Sequence, residues 1–92
     1  MEYQELKREV LEAAMRCARR GVGYAQQMVV LNEVAEKFVG SSFSLPNIQL
    51  QQKILTCWYD LIREGALSWG YDLDNPDAPF FHMPERTYIP MR

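Results

Sequence analysis

Apolar residues recur every three or four positions in three segments of the chain: residues 3–20, residues 28–38, and the stretch from Ser44 to Gly65. This spacing places the apolar side chains on one face of an α-helix, so we predict three amphipathic helices. The apolar positions are Leu6, Val10, Ala14 (or Ala13) and Cys17 in the first segment, Leu31, Val34, Ala35 and Phe38 in the second, and Leu50, Ile54, Cys57 and Leu61, flanked by Trp58 and Ile62, in the third.

Residues with special backbone preferences mark the ends of these helices. Gly21 ends the first helix, and the run Gly-Ser-Ser at residues 40–42 ends the second. Ser44 suits the N-cap of the third helix, and Gly65 suits a left-handed cap at its end. We therefore expect the order helix, helix, turn, helix.

After the third helix, the spacing of the apolar positions changes from that of a helix to that of a strand. Residues 66–71 alternate and are rich in strand-favouring types, and residues 80–83 form a second such run before Pro84. Residues 72–79 favour a turn and are too few for a parallel crossover. We predict an antiparallel hairpin, with residues 24–26 as a short strand that pairs with it.

The composition is typical of one small globular domain. The chain has 92 residues, of which 48% are hydrophobic, a fraction too high for a disordered protein. No apolar run approaches the roughly 18 residues of a membrane span. Residues 1–6 have neither the basic nor the apolar region of a signal peptide. We therefore expect a cytoplasmic protein that does not contact a membrane.

The two cysteines and the single histidine are not spaced like a metal site. Cys17, Cys57 and His82 are far apart, whereas a structural zinc site needs about four ligands, usually in close pairs. We expect two buried free thiols, no metal and no cofactor. The chain also has no nucleophile motif and no phosphate-binding glycine loop, so we expect no catalytic residues, no enzymatic activity and no small-molecule substrate.

The predicted order of elements resembles that of winged helix-turn-helix domains. Residues 31–38 (LNEVAEKF) look like the first helix of a helix-turn-helix. Residues 61–67 (LIREGAL) resemble the junction between a recognition helix and a wing. Residues 75–82 (NPDAPFFH) resemble the return of the wing in some bacterial winged-helix domains that are attached to larger proteins.

This resemblance covers about residues 5–84 and implies an α+β, mainly α fold. The expected architecture is a three-helix winged helix-turn-helix with a C-terminal two-stranded β-hairpin wing. We assign residues 1–84 to this domain and residues 85–92 to a short C-terminal tail.

The resemblance also implies that the third helix reads duplex DNA in the major groove, as in a transcription regulator. Asn and Gln side chains suit adenine, and cationic side chains suit phosphate. The candidate contact residues are Asn47, Gln49, Gln51, Gln52, Lys53 and Arg63. The formal net charge of −2 argues mildly against this function, because phosphate contacts need Lys or Arg.

The loop of the hairpin and the tail favour an alternative, a contact with a protein partner or with a second copy of the chain. The loop has three carboxylates and no base, so it would be repelled by a phosphate backbone. The aromatic and apolar residues nearby suit a protein contact. The candidate residues are Trp69, Asp72, Asp74, Asp77, Tyr88 and Ile89. Asp equally suits turn geometry, and the sequence leaves that interpretation open.

Basic residues cluster at the end of the first helix. Arg16, Arg19 and Arg20 could hold phosphate or an acidic partner, or could complement the helix dipole on a solvated helix end. Glu12 precedes Arg16 by four positions, which favours an ion pair within the helix. Two functions therefore remain open, nucleic-acid binding and protein interaction.

Overall fold

The computed structural model describes residues 2–39 and 48–84. They form a small, mainly helical α+β domain in which three helices precede one antiparallel hairpin. The elements are α1 (Tyr3–Arg19), α2 (Gln27–Val39), α3 (Ile48–Glu64), β1 (Ser68–Trp69) and β2 (Phe81–His82). The predicted helix start at Ser44 and the tail over residues 85–92 lie outside the described residues. None of the three helices is both long and apolar enough to cross a membrane.

The predicted apolar faces of α1 and α3 form most of the core. Because each face repeats every three or four residues, one side of each helix can be removed from water along its whole length. The buried residues are Leu6, Val10, Ala13, Ala14 and Cys17 of α1 and Ile54, Cys57, Trp58 and Leu61 of α3. The periodicity therefore located both faces, although Leu50 and Ile62 of the predicted α3 stripe are only half-buried.

The buried face of α2 differs from the predicted stripe. Val30 is fully buried although the stripe omits it, and Val34 is buried as predicted. Leu31, Ala35 and Phe38 are only half-buried. The reason is that α2 packs against both α1 and α3, so that part of the predicted stripe lies along the boundary with α3.

Gly65 ends α3 as predicted. Its φ of +84° lies in the left-handed region, which a residue without Cβ adopts at little cost. The amide of Ala66 donates to the carbonyl of Leu61 at 2.9 Å, and the amide of Gly65 donates to the carbonyl of Ile62 at 3.1 Å. These two bonds are the Schellman pattern, which satisfies the last carbonyls of a helix.

The hairpin is antiparallel as predicted, but its strands are shorter. Ser68 pairs with His82 and Trp69 pairs with Phe81. The first strand ends because Gly70 has a φ of +95°, outside the extended region. A Cβ on Gly70 would lie 2.6 Å from the carbonyl oxygen of Pro76, so the two sides of the loop approach closely there.

The segment before α2 pairs with the hairpin, as predicted for residues 24–26. Gln26 forms an isolated antiparallel bridge with Phe80. The amide of Phe81 donates to the carbonyl of Ala25 at 3.1 Å, and the amide of Gln27 donates to the carbonyl of Pro79 at 2.9 Å. The return side of the hairpin is therefore bonded along both of its edges.

Candidate functional site

The polar residues predicted to read DNA lie on two different sides of α3. Gln49, Gln52 and Lys53 are exposed and line a depression beside the first turn of α1. Gln51 is half-buried and faces α2 instead. Asn47 lies outside the described residues. The structure thus brings together three of the predicted residues and separates them from Gln51.

The cationic side chain at the end of α3 is not free. Arg63 donates to the carboxylate of Asp60, which also accepts from the hydroxyl of Tyr3. The hydrogen bond from Tyr3 and, secondarily, the charge of Arg63 hold the pKa of Asp60 below its usual value. Lys7 of α1 is paired in the same way with Glu64. Within the described part of α3, Lys53 alone remains as a cation without a carboxylate partner.

Four large apolar side chains are exposed on α2 and α3. Met28 is 61% exposed, Ile48 62%, Leu55 38% and Tyr59 47%. Met28 and Leu55 line the same groove, and Ile48, Leu55 and Tyr59 follow one another at helical spacing on α3, so the four lie on one side of the two helices. We call Met28, Ile48, Leu55 and Tyr59 the α2–α3 face, and Gln52 lies at its edge, where the depression beside α1 begins.

A neutral groove lies within the α2–α3 face. It has a volume of about 260 Å³ and separates the two helices along their outer edges. Its lining residues are Met28, Leu31, Asn32, Ala35, Gln51, Ile54 and Leu55. None of these side chains carries a charge, and depletion of charge is typical of the central part of a protein interface.

Tyr59 is held in place at one end of this face. The side-chain amide of Gln27 donates to the Tyr59 hydroxyl at 3.2 Å. The Tyr59 ring lies 6.4 Å from the ring of Trp69, which in turn lies 5.8 Å from the ring of the fully buried Trp58. A chain of aromatic contacts therefore fixes this exposed ring, and an ordered ring loses little entropy when a partner covers it.

The first carboxylate of the hairpin loop, that of Asp72, accepts hydrogen bonds from within the loop itself. Oδ1 of Asp72 accepts from the amides of Asp74 at 3.1 Å and Asn75 at 2.7 Å, and from the side chain of Asn75 at 2.9 Å. This supports the turn-geometry interpretation for Asp72. Asp74 and Asp77 are exposed. Leu73, between Asp72 and Asp74, is 97% exposed, and the sequence prediction overlooked it.

The other residues predicted for a protein contact are less accessible or lie elsewhere. Trp69 is half-buried between Trp58 and Tyr59. Tyr88 and Ile89 lie outside the described residues. Asp72, Asp74 and Asp77 are all exposed, as is Leu73, but Asp72 already accepts three hydrogen bonds within the loop.

Most of the basic cluster on α1 is engaged with α2. Arg16 donates to Glu33 through Nε at 3.2 Å and through Nη2 at 2.9 Å, so the ion pair predicted with Glu12 is replaced by one between helices. Arg20 lies 3.9 Å from the same carboxylate and stacks 5.0 Å from the ring of Tyr24. Arg19 is exposed. The cluster therefore helps to hold α2 against α1.

The two thiols are buried and have no disulfide partner. Cys17 and Cys57 are both fully buried, and burial raises the pKa of each thiol above its ordinary value. A thiol that stays protonated is a poor nucleophile and a poor metal ligand. Across residues 2–39 and 48–84, no three His, Cys, Asp or Glu side chains form a group able to hold a metal ion.

The exposed apolar residues of α3 were overlooked because they fall outside its buried stripe. Ile48, Leu55 and Tyr59 have a spacing of seven and four residues, with Gln52 between the first two. That pattern is a second, narrower stripe at helical spacing.

Comparisons with family models, with curated proteins and with solved structures found no match to this chain.

Proposed function

We propose that this chain is a non-enzymatic winged-helix module that binds a protein through its α2–α3 face. The observation that carries the proposal is the concentration of Met28, Ile48, Leu55 and Tyr59 on the outward side of the two helices. Apolar patches of this kind mark interaction sites on soluble domains. The uncharged groove between α2 and α3 adds a recess into which a partner side chain can insert.

The winged-helix part of the proposal is supported by the order and pairing of the elements. Three helices are followed by an antiparallel hairpin, which is the order expected of this class. The bridge between Gln26 and Phe80 adds a short strand in front of α2, where winged-helix domains often have one. In such a domain α3 would be the recognition helix and the hairpin would be the wing.

Electrostatics argues against DNA as the principal ligand. Proteins that bind duplex strongly neutralise about 6–10 phosphates, and each contact needs a cationic or a hydrogen-bonding group. Here Arg63 is paired with Asp60, and the loop of the hairpin exposes Asp74 and Asp77. Among residues 48–84, the recognition surface would supply one unpaired cation, Lys53, which is too few to offset the repulsion from the loop.

A comparison of two Leu→Glu variants tests the interaction. We expect wild-type bait, cross-linked in its source cells, to recover a defined protein or an untagged copy of itself. Leu55→Glu should abolish that recovery because it places a charge in the apolar face. Leu73→Glu, the same change at the most exposed leucine, should leave the recovery unchanged.

The recovered proteins are identified by mass spectrometry, and circular dichroism checks that each variant is folded. Equal recovery with all three baits, or no recovery with any of them, would contradict the proposal. Loss with Leu73→Glu alone would assign the contact to the acidic loop instead.

Nucleic-acid binding is the second candidate, and the exposure of Gln49, Gln52 and Lys53 on one side of α3 favours it. It is tested by titrating mixed-sequence duplex at several salt concentrations. Under our proposal, binding is absent or has a salt slope near −1, as expected for about one phosphate contact. A slope steeper than about −5, lost with Lys53→Glu and reduced with Gln52→Ala, would establish DNA binding instead.

A further inference from the structure

The exposed stripe of α3 has the spacing of a helix–helix contact. Ile48, Gln52, Leu55 and Tyr59 follow one another at steps of four, three and four residues. Steps of this kind keep side chains on one narrow seam, which is the pattern that packs against a second helix. The seam is separate from the buried face of α3, which already contacts α1. An external helix can therefore lie along it without displacing any part of the core.

The charges around this seam suit a neutral partner. Its flanking positions Gln49, Gln51 and Thr56 are uncharged, and the seam adjoins the uncharged groove beside α2. At its C-terminal end, the charge of Arg63 is offset by Asp60. The one unpaired cation of α3, Lys53, lies off the seam in the depression beside α1. A strongly charged partner would thus find no complementary group on the seam residues themselves, whereas a second copy of the seam would bring no like charges into it.

Resting on the proposed function, we propose that the occupant of the seam is a second copy of this chain, with the two α3 helices antiparallel about a two-fold axis. In an antiparallel pair centred between residues 53 and 54, Ile48 of each copy lies opposite Tyr59 of the other. Gln52 of each copy lies opposite Leu55 of the other. A closed two-fold contact of this kind uses the same patch on both copies and produces a dimer rather than a filament.

Gln52 is the residue that favours a second copy over an unrelated apolar helix. An amide covered by a purely apolar partner would lose its water without gaining a hydrogen bond, which is unfavourable. Next to the two-fold axis the two Gln52 side chains are neighbours, and each amide has both a donor and an acceptor. The two amides can therefore hydrogen-bond to each other, and a polar pair in a seam also fixes the register of the two helices.

The proposal is tested on the purified full chain by sedimentation equilibrium and light scattering over a range of concentrations. Wild type is expected to reach twice the 10.8 kDa mass of one chain. Leu55→Glu should raise the dissociation constant of the dimer at least about 30-fold. Leu73→Glu, the matched control in the loop, should leave it unchanged.

Charge variants of the exposed Gln52 provide a test that does not depend on the folding of Leu55→Glu. Gln52→Lys and Gln52→Glu should each be monomeric, because like charges would meet beside the axis. An equimolar mixture of the two should form a dimer that dissociates with added salt. Thermal unfolding followed by circular dichroism confirms that both variants are folded.

Three outcomes would overturn the dimer. They are a monomeric wild type at every concentration, a dimer that persists in Leu55→Glu and Gln52→Lys, and a mixture of the charge variants that stays monomeric. A monomeric wild type that still recovers another protein in a Leu55-dependent manner would overturn the dimer alone and leave the proposed function in place. Loss of both readouts would remove the proposed function as well.

Discussion

Phe81 is fully buried beneath the hairpin and joins it to α3. Its ring meets the ring of Trp58 edge-on, with centroids 5.2 Å apart and an interplanar angle of 90°, an arrangement that aromatic pairs prefer. The neighbouring Phe80 is only half-buried. The alternation of a strand predicts that one of these two residues points inward, but only the register with Trp69 shows that it is Phe81.

Replacing Phe81 by Ala should therefore be among the most destabilising single changes in the protein. We expect a loss of about 3–5 kcal/mol in the free energy of unfolding, because the change leaves a cavity against Trp58. Leu73→Ala removes an exposed side chain and should change stability by less than about 0.5 kcal/mol. Urea unfolding followed by circular dichroism measures both values, and similar losses in the two variants would contradict this view of the core.

At the scale of the elements, the hairpin depends on a glycine that the alternation pattern does not single out. Gly70 directly follows β1, and its backbone lies against Pro76 on the opposite side of the loop. The Gly70 amide also donates to the carbonyl of Phe80 at 2.7 Å. The loop therefore closes only if residue 70 has a positive φ and no side chain.

Gly70→Ala should destabilise the protein by about 2 kcal/mol or more, since a Cβ would collide with a backbone carbonyl and the φ would be strained. Gly23→Ala is the matched control. No atom lies within 4 Å of a Cβ placed on Gly23, and alanine there restricts the unfolded chain, so stability should be unchanged or slightly higher. Thermal unfolding compares the two, and equal melting temperatures would rule out the close approach at Gly70.

At the scale of the whole molecule, ion pairs join α1 to both of the other helices. Each pair bridges residues that are far apart in sequence, so the pairs form only when the helices are assembled. The pairs are Lys7 with Glu64, Arg16 with Glu33, and Lys37 with Glu9. Their exposure limits what each contributes, but in one of them the pKa of the carboxylate, Glu9, is shifted.

Acid should weaken the domain through Glu9. The hydrogen bond from Lys37 holds the pKa of Glu9 below its usual value in the folded protein. A carboxylate of this kind stabilises the fold above its unfolded pKa of about 4.3. That contribution is lost as the pH falls through the folded pKa.

Glu9→Gln should thus lower the melting temperature by a few degrees at neutral pH and have progressively less effect below about pH 4. Glu12→Gln, an exposed change on the same helix, should have little effect at either pH. Calorimetry across this pH range checks both variants. A deficit that stays constant down to acid pH would show that the ion pair is not its cause.

The helices and the hairpin could be predicted because their signals are local. The periodicity of α1 and α3, the cap at Gly65 and the change of period after it all depend on neighbouring residues. Contacts between elements have no such local signal in the sequence. The spacing of Glu12 and Arg16 favoured a pair within α1, yet Arg16 contacts Glu33 of α2.

The same limit applies to the candidate site. Gln49, Gln52 and Lys53 are exposed as the helical pattern implied, whereas Gln51 faces α2. The concentration of apolar residues around Leu55 depends on the position of Met28 in a different helix. A pattern within one helix predicts its faces, but only the packing of helices shows which faces remain uncovered.

The return side of the hairpin forms hydrogen bonds with two segments that come earlier in the chain. The Phe81 amide donates to the carbonyl of Ala25, shortly before α2, and the Phe80 carbonyl accepts from the amide of Gly70, directly after β1. Residues 80 and 81 therefore hold together the segment before α2 and the segment that follows α3. During synthesis all three helices emerge before this strand does. A nascent chain that stops short of Phe81 exposes Trp58 and is open to aggregation, and so the stability of the domain depends on a strand that is made after all three helices.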